Sequence, residues 1–298
     1  MSDTLIREPL GTTSAVAVLA PSRPAALRTA VRGLRRNWVI ALSAVVLLVA
    51  IGFALFPSVF ASGDPLKGVP AEKLQGPSAS HWFGTDNIGR DVYTRVVHGA
   101  GLSLTATLLA VGIALVAGSI VGVLSGATGG SVDAVLMRIV DVLLSIPALL
   151  LSLALVTALG FGTLNVAIAV GVGLVANFAR VMRSEVLRVR RALYVEAALA
   201  SGVRWFTVLY RHVLRNAYAP VIALAAVEFG MAVLAVSSLS FLGFGAVPPT
   251  PEWGSLIAEG RNYLATAWWM TTLPGLVIIA VVLAAHRVGH AIEGRSGR

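Results

Sequence analysis

The sequence predicts an all-α integral membrane protein, and three observations lead to that fold class. Hydrophobic residues make up 57% of the 298 residues and charged residues only 12%, whereas a soluble domain carries about 25% charged residues. The apolar residues form runs close to the ~20 residues that cross a bilayer as a helix. Basic residues gather beside these runs, as is typical of membrane loops. The runs show none of the alternation of transmembrane β-strands.

The apolar runs predict six transmembrane helices. They cover residues 38–57, 102–124, 136–159, 163–179, 218–240 and 267–285. Pro147 should bend the third of them, either as a hinge or simply as shape. If the N-terminus is cytoplasmic, eighteen of the 23 basic residues fall in cytoplasmic segments and five outside. This asymmetry predicts that both termini are cytoplasmic.

The predicted organisation is one membrane domain between two tails. The parts are an N-terminal cytoplasmic tail at 1–36, a six-helix domain at 37–286, extracytoplasmic loops at 58–100 and 242–266, a cytoplasmic loop at 180–216 and a C-terminal cytoplasmic tail at 287–298. Pro9, Pro21 and Pro24 discourage a continuous helix, so the first ~25 residues are predicted to be flexible.

The first span could instead be a signal peptide, since Val59 and Ala61 resemble a cleavage site. Its apolar stretch is longer than a signal core of about 7–15 residues, and a long tail precedes it. We therefore expect an uncleaved membrane anchor.

Ionisable and amide residues are rare in the predicted spans. Arg138 and Asp141 lie three positions apart in the third span and are predicted to pair with each other. Asn165 and Asn177 are predicted to join helices by hydrogen bonds. Glu228 lies midway along the fifth span, where a carboxyl group either lines a substrate path or accepts a hydrogen bond from a neighbouring helix.

The chain carries no recognisable motif for nucleotide hydrolysis or metal binding. Neither Lys67 nor Lys73 follows a glycine, so a Gly-Lys phosphate-binding loop is excluded. If the protein pumps, its energy comes from ions or from another subunit. His286 and His290 lie four positions apart without a third ligand, whereas zinc needs three or four. No metal site is predicted.

Other function classes are also disfavoured. The absence of cysteine excludes disulfides, thiolate catalysis and a lipoprotein anchor. No Ser/His/Asp arrangement is recognisable, which argues against an intramembrane enzyme. The net charge of +9 could suggest nucleic acid, but arginines beside apolar spans fit membrane orientation better.

The loop at 180–216 is predicted to form two amphipathic helices on the cytoplasmic face. The apolar stripe of the first helix consists of Val186, Val189, Leu193 and Ala197. Gly202 is placed to end this helix in the left-handed conformation, and a second helix begins at Trp205. Such a segment could bind lipid headgroups. The small side chains of Ala197, Ala198 and Ala200 instead favour close approach of another protein.

This loop resembles the cytoplasmic signature of permease subunits of ATP-binding-cassette (ABC) importers, in which Glu-Ala-Ala is followed by Gly and by a hydrophobic-Leu-Pro end. The matching residues are Glu196, Ala197, Ala198, Gly202 and Val213-Leu214, with Arg215 in place of the usual proline. Three further stretches are similar: HWFGTDNIGRDVYTRVVHGAGLSL (81–104), MRIVDVLLSIPALL (137–150) and SLSFLGFGAVPPTPEWGSLIAEGRNYL (238–264). Together they resemble the dipeptide/oligopeptide/nickel permease group, of the DppC/OppC type. The C-terminal tail is also atypical.

The resemblance implies the type I ABC importer permease fold and a role as one half of a translocation path for peptides, in the plasma membrane of a bacterium. The implied partners are a second permease of the DppB/OppB type, two ATP-binding subunits and an extracytoplasmic substrate-binding protein. ATP and Mg would bind in the ATPases, so this chain is expected to hold no cofactor and to be no enzyme. The coupling loop that docks on them would comprise Glu196, Ala197, Ala198, Gly202, Arg204 and Trp205. Pro147, Asn177 and Glu228 are candidates for lining the path.

The extracytoplasmic motifs are candidates for receiving the binding protein and covering the path. They comprise Gly84, Thr85, Asp86, Gly89, Arg90, Asp91, Pro249, Glu252 and Trp253. Alternatively these residues only shape and cap helix ends, and this is the interpretation that we adopt for Asp86 and Asp91. Trp253, Trp268 and Trp269 are predicted to anchor the membrane interface.

The main alternative is an ion-coupled carrier that works without an ATPase. Such carriers are often built from inverted repeats with interrupted helices, and the sequence shows no convincing repeat. The substrate stays open among dipeptides, oligopeptides and nickel chelates, because in such systems the binding protein largely sets selectivity.

Overall fold

The computed structural model describes the backbone of residues 23–296 and the side chains of residues 38–292. This part of the chain is almost entirely helical. The helices are α1 Arg23–Leu55, α2 Pro57–Phe60, α3 Val92–Thr128, α4 Gly130–Ser145, α5 Ala148–Leu159, α6 Thr163–Arg190, α7 Leu193–Ala200, α8 Trp205–Val208, α9 Arg215–Phe241, α10 Trp253–Gly260 and α11 Trp269–Ser296. Most of the predicted flexible N-terminal tail lies outside the described residues. Pro24 is in the first turn of α1, where a helix does not need the missing N–H.

Five helical segments in the described residues are long and apolar enough to cross a membrane. They are Trp38–Leu55, Val92–Thr128, Thr163–Arg190, Trp205–Phe241 and Trp269–Ile292. The predicted third span is not one helix, because α4 and α5 meet at an angle of 94°. Proline has no N–H to donate and disfavours helical geometry in the residue before it. Ile146 is accordingly extended, with φ −95° and ψ 129°, so the predicted bend at Pro147 is confirmed as a complete break.

The predicted spans were too short at their ends. The helix of the second span begins at Val92, that of the fourth continues to Arg190, and that of the fifth starts as a helix at Trp205. A π-helical segment, Leu209–Leu214, joins α8 to α9 without interruption. Arg215, which can donate a backbone hydrogen bond where proline cannot, lets the helix pass this point. Apolar runs mark only the part of a helix that lies in lipid, and polar residues extend it beyond.

The centre of the fold is the contact between α3 and α6, which depends on three glycines spaced four apart in α3. A Cβ on Gly118 would lie 2.5 Å from the Phe178 Cβ, and one on Gly122 would lie 2.6 Å from the Ala179 carbonyl oxygen. Gly126 meets Val186 in the same way, at 2.7 Å. Small residues at this spacing let two membrane helices approach closely, so α3 and α6 pack as one unit.

Loops and short helices cover both ends of the bundle. The Asp86 end consists of residues 61–91 and 242–268, and the Gly202 end of residues 129–133 and 190–214. α3, α6 and α11 run from the Asp86 end to the Gly202 end, whereas α9 runs in the opposite direction. The Gly162 amide of the α5–α6 turn donates to the Phe244 carbonyl at 2.9 Å and so ties that turn to the Asp86 end.

Candidate functional site

The turn at Gly202 is built as the sequence predicts. Gly202 has φ +82°, its amide donates to the Leu199 carbonyl at 3.0 Å, and the Val203 amide donates to the Ala198 carbonyl at 3.2 Å. These are the hydrogen bonds of a left-handed glycine that ends a helix. A Cβ at Gly202 would meet nothing within 4 Å, so glycine is required here by backbone conformation alone. The predicted helix end is confirmed.

The surface around this turn is exposed and carries both small and large apolar side chains. Leu193 and Phe206 are 83% and 80% exposed. Glu196, Ala197 and Arg204 are also exposed. The segment is held from below by Val195 and Val208, which are completely buried, while Ala198 and Trp205 are half-buried. We call residues 193–208 the docking segment.

The predicted apolar stripe through this loop is wrong. Val186 and Val189 are buried in α6, which ends at Arg190, whereas Leu193 and Ala197 belong to α7 and are exposed. Helical spacing in the sequence continues through the break at residues 191–192, but the chain direction changes there. The two halves of the stripe therefore face different surroundings.

Arg190 joins the docking segment to α3, a contact that sequence reasoning missed. Its Nη1 donates to the Gly126 and Ala127 carbonyl oxygens at 2.8 and 3.0 Å. Its guanidinium lies 5.0 Å from the centroid of the Trp205 ring, within the range of a cation–π contact. The carbonyls at the end of a helix have no partner within it, so Arg190 satisfies two of them in α3. The partners are more than sixty positions apart, and no local pattern reveals them.

Two ion pairs hold α4 against α6, and one corrects a prediction. Arg183 binds Asp133 with two hydrogen bonds of 2.6 Å, a geometry that adds specificity to the attraction. Asp141 is paired with Arg180 at 2.8 Å and not with Arg138. The predicted pair between two residues three positions apart on one helix does not form, because Asp141 pairs with a basic residue on the neighbouring helix.

The Asp86 end contains a cluster of four charged side chains, which we call the Asp86 cluster; three of them are buried, and the fourth, Glu259, is 20% exposed. Arg90 Nε and Arg95 Nη1 donate to Asp86 Oδ2 at 2.6 and 3.1 Å. Arg95 also grips Glu259 of α10 with both terminal nitrogens, at 2.6 and 3.0 Å. Asp86 and Arg95 are 1% and 2% exposed. Two positive and two negative groups balance, which is the arrangement that makes buried charges tolerable.

Asp86 and Asp91 have different roles. Asp91 accepts from the Thr94 amide at 2.7 Å and caps the start of α3, so its predicted role is confirmed. Asp86 caps no helix; its Oδ1 accepts from the Ile88 and Arg90 amides, both at 2.9 Å, inside the preceding loop. The helix-capping prediction for Asp86 is wrong because two arginines draw this carboxylate into the Asp86 cluster.

Two glycines allow the loop before α3 to fold tightly. Gly89 has φ +83°, and a Cβ there would lie 1.9 Å from the Val69 carbonyl oxygen. Gly84 has φ +70° and a similar clash at 2.6 Å with the Gln75 carbonyl oxygen. Thr85 is completely buried, and its hydroxyl accepts from the Gln75 amide at 2.9 Å. These residues shape the loop and do not form its outer surface.

Glu252 and Trp253 fasten α10 to α3. Glu252 caps α10 by accepting from the Gly254 and Ser255 amides at 3.2 Å, and it accepts from the Ser103 hydroxyl at 3.1 Å. Burial raises the pKa of the Glu252 carboxyl above its ordinary value. The Trp253 indole donates to the Val96 carbonyl oxygen at 2.9 Å, and its side chain is fully buried.

The predicted aromatic interface anchors are wrong in two of three cases. Trp253 is in the core, and the Trp269 indole is buried and donates to the Thr85 carbonyl oxygen at 3.1 Å. Trp268 is 51% exposed, and its role as an anchor stays a prediction. Tryptophan is enriched both in membrane interfaces and in cores where its N–H finds a partner, and composition alone does not distinguish the two.

Comparisons with known proteins identify the family. Residues 114–295 match the model of the family described as "Binding-protein-dependent transport system inner membrane component". The chain belongs to this family. It is 37% identical to the dipeptide transport system permease protein DppC of Alkalihalophilus pseudofirmus, over 89% of this chain and 88% of that one. It is 39% identical to the probable D,D-dipeptide transport system permease protein DdpC of Escherichia coli K12, over 84% of both chains.

A solved structure supports the fold. A chain of the MetNI methionine ABC transporter in an inward-facing conformation superposes with a TM-score of 0.56 and 18% identity. The match covers 68% of this chain and 97% of that chain. The chain is therefore a multi-pass permease subunit of an ABC importer in the bacterial inner membrane, with the type I fold. Members of this family are not themselves enzymes and work with a substrate-binding protein and with ATPases.

Within the permease, two of the three predicted path residues are in contact, on α6 and α9, and the third, Pro147, immediately precedes α5. The Asn177 amide donates to Glu228 Oε1 at 3.0 Å and so joins α6 to α9. This contact confirms the prediction that Asn177 joins two helices. It also agrees with one of the two alternatives for Glu228, namely that its carboxyl group accepts a hydrogen bond from a neighbouring helix. Asn165 of α6 donates to the carbonyl oxygen of Leu159, the last residue of α5, at 3.1 Å, so its predicted helix-joining role is confirmed between neighbouring helices.

The histidine pair of α11 does not form part of a larger ligand cluster. His286 and His290 approach each other at 3.1 Å between their Nε2 atoms. Within the described residues, no group of three or more His, Cys, Asp or Glu side chains could hold a metal ion.

Proposed function

We propose that this permease forms half of a translocation path for short peptides, together with a second permease of the DppB/OppB type. We further propose that the docking segment couples this path to two ATPase subunits, which bind ATP and Mg. The observation that carries the proposal is the docking segment itself. Its buried side is fixed by Val195 and Val208, while Leu193 and Phe206 on its exposed side are left largely uncovered by the described residues.

The shape of the docking segment fits insertion into a cleft of a partner protein. Ala197, Ala198 and Gly202 carry little or no side chain, so a partner backbone can approach closely at this point. Glu196 and Arg204 are exposed on the same segment and can form ion pairs at the rim of such a contact. Large apolar anchors surrounded by polar groups are typical of protein interfaces. We infer that this end of the bundle, and with it both termini, lies in the cytoplasm.

The docking role is tested by substitution of the segment in the assembled importer. We expect Glu196→Lys and Gly202→Asp to abolish uptake and co-purification of the ATPases, while the chain still inserts in the membrane. The matched control is Gly129→Asp. Gly129 also has a positive φ, +71°, and open space around it at the same end, but it lies outside the docking segment. Normal uptake and ATPase binding by both docking variants would contradict the proposal.

The peptide substrate is inferred from the relatives. The two relatives described above are named for the transport of dipeptides and of D,D-dipeptides. A third relative, 36% identical over 88% of this chain, is a glutathione transport system permease protein of E. coli. All three named substrates are short peptides. Mass spectrometry of the ligand held by the co-purified binding protein should reveal peptides of a few residues. A nickel chelate in its place would overturn the substrate assignment, and uptake by this chain alone, driven by an ion gradient, would overturn the ATPase coupling.

The Asp86 end is proposed to face the binding protein and to cover the path. Most of its motif residues, including Asp86, Gly89 and Trp253, are buried, so they form the frame of this surface. The exposed residues that a binding protein can touch include Trp82, which is 63% exposed, Val247, which is 68% exposed, and Pro249. Loss of binding-protein-stimulated ATP hydrolysis in a Trp82→Ala, Val247→Ser double variant, with basal hydrolysis retained, would support this role. Unchanged stimulation would contradict it.

A further inference from the structure

The break between α4 and α5 leaves backbone polar groups without partners. In the part of the chain that the structure describes, the Leu144, Ser145 and Ile146 carbonyls accept no hydrogen bond. The amides of Ala148, Leu149 and Leu150 donate none. These are the end groups of two helices that a continuous span would have paired with each other. We call residues 144–150 the α4–α5 break.

The α4–α5 break is also exposed on the surface of this chain. Residues 145–148 are all exposed, and Ile146 and Leu150 are 39% and 56% exposed. The described residues of this chain therefore supply neither partners nor cover for these groups.

The depth of the α4–α5 break can be measured along α6. A Cβ on Gly173 would lie 2.8 Å from Ser152 Oγ and 3.4 Å from the Ala148 carbonyl oxygen, so Gly173 is level with the start of α5. It lies ten positions after Thr163, the first residue of α6, or about 15 Å at 1.5 Å per residue. Arg180, the first basic residue of this helix, is seven positions further on. The α4–α5 break is therefore near the middle of the apolar part of α6.

Unpaired backbone groups at this depth cannot face lipid. No water is available in the hydrocarbon region, and irregular backbone is tolerated there only where it is covered by protein or lines a water-filled cavity. A second permease is a poor cover, because the amides and carbonyls within its own helices are already paired with each other. Water molecules, by contrast, can donate hydrogen bonds to the three carbonyls and accept hydrogen bonds from the three amides.

A second polar feature lies beside the α4–α5 break. Asn177 is four positions, or about one turn, from Gly173 and so lies on the same face of α6. It binds Glu228 of α9 at 3.0 Å, and both residues are half-buried. An ionisable residue within a membrane span normally faces the bundle interior or a water-filled cavity. The α4–α5 break and the Asn177–Glu228 pair are thus two independent polar features that lie at a similar depth in the membrane.

We propose that the α4–α5 break and the Asn177–Glu228 pair line one water-filled section of the translocation path at mid-membrane. This inference rests on the proposed function, since it places a wall of the path within the importer. The unpaired carbonyls at the end of α4 and the unpaired amides at the start of α5 then face the passing solute. A peptide, which carries both donors and acceptors along its backbone, can replace the water at these groups.

The test uses the absence of cysteine from this chain. Single variants Ser145→Cys and Ile146→Cys are prepared in the full importer in proteoliposomes, and modification of this chain is read by mass spectrometry. The probe is a permanently charged quaternary-ammonium methanethiosulfonate, which does not enter lipid. It reacts with the thiolate, which forms readily only in contact with water.

The matched control is Val116→Cys in the unbroken helix α3. Val116 is 61% exposed, and it precedes Gly118, which packs against Val175 and Phe178 of α6, so its depth is similar. We expect the charged probe to modify the Ser145→Cys and Ile146→Cys chains at least about tenfold faster than the Val116→Cys chain. A saturating peptide-loaded binding protein with ATP should change the rates at the α4–α5 break and not at the control.

Two results would overturn the inference. Equal, slow modification of all three chains by the charged probe, with complete modification by N-ethylmaleimide once the chains are denatured, would place the α4–α5 break in lipid or under protein. Cross-linking of the Ile146→Cys chain to the second permease would make it an interface. Neither result affects the proposed coupling, because ATPase co-purification and the Gly202→Asp variant are measured separately on the same complexes.

Discussion

Charged side chains are arranged differently at the Asp86 end and at the Gly202 end. At the first, Asp86, Arg90, Arg95 and Glu259 are paired with one another, and Asp86 and Arg95 are almost completely buried. At the second, Glu196 and Arg204 are exposed, and large apolar side chains are exposed beside them. The charges of the Asp86 cluster find their partners within this chain, whereas those of the docking segment are free to pair with another protein.

The same contrast appears in two glycines with nearly identical φ angles. Gly89 has φ +83° and Gly202 has φ +82°. A Cβ at Gly89 would clash with neighbouring backbone atoms, whereas a Cβ at Gly202 would lie in open space. Gly89 is thus required both by its backbone conformation and by the packing around it, whereas Gly202 is required by its backbone conformation alone. Substitutions at the Asp86 end should therefore act on stability, and those at the Gly202 end on assembly.

The largest effect on stability is expected for Arg95→Ala. This substitution removes one of the two positive partners of Asp86, which is buried, and of Glu259, which is 20% exposed. Loss of one partner of a buried ion pair costs about 3–5 kcal/mol. The control is Arg180→Ala, whose pair with Asp141 is 59% and 58% exposed and should contribute less than about 1 kcal/mol. Thermal unfolding of the purified complexes measures both. Similar midpoints for the two variants would remove the distinction between buried and exposed pairs.

The next largest effect is expected for Gly89→Ala compared with Gly202→Ala. A left-handed non-glycine residue costs about 1–2 kcal/mol, and this cost applies to both. Gly89→Ala should lose clearly more, because its Cβ would lie 1.9 Å from the Val69 carbonyl oxygen and the loop has to shift. We expect Gly202→Asn to recover part of the Gly202→Ala loss, since asparagine tolerates this conformation. Equal unfolding midpoints for the two alanine variants would show that the Gly89 loop is not tightly packed.

A smaller effect is expected in the pH dependence of stability. Burial raises the pKa of the Glu252 carboxyl, so the folded protein favours its protonated form. That contribution is fully present below the unfolded pKa of about 4.3 and is lost as the pH rises through the higher folded pKa. Glu252→Gln cannot titrate. The unfolding midpoint of the unsubstituted complex should therefore fall relative to that of Glu252→Gln as the pH rises above about 4.3, and a constant difference would contradict this.

The smallest effect on stability is expected for Phe206→Ser. This side chain is 80% exposed, and exposed substitutions usually change stability by no more than about 0.5 kcal/mol. Loss of an apolar anchor should nevertheless weaken binding of the ATPases by about tenfold, or ~1.4 kcal/mol. Phe206→Leu, which keeps apolar surface, should retain most of the affinity. Titration of the ATPase against both variants gives the comparison, and unchanged affinity for Phe206→Ser would remove this residue from the interface.

Features encoded by neighbouring residues were predictable from the sequence. Apolar runs located the membrane helices, Asp91 three positions before Thr94 marked a helix start, and Gly202 after a short helix marked its end. Pro147 identified the position of the break. The 94° angle was not predictable, because it depends on how α4 and α5 each pack against α6.

Long-range partners were not predictable in the same way. Asp141 has a basic residue on its own helix at a suitable spacing, Arg138, but pairs with Arg180 on another. Trp253 is of a residue type that often anchors membrane interfaces, but in the structure it lies in the core. Arg190 is one of the eighteen basic residues that the sequence assigns to cytoplasmic segments, but nothing near it in the sequence shows that it binds the end of α3. In each case the choice is made by the neighbouring helix.

The sequence by itself determined the class of protein, the positions of the membrane helices, and the places where individual helices start and stop. These features depend on hydrophobic length and on hydrogen bonds within a few residues. The tertiary structure alone decided which charges are buried together at the Asp86 end, how the glycines of α3 receive α6, and which side of the docking segment is exposed. These depend on distances between residues far apart in the chain, which a pattern along one helix does not contain.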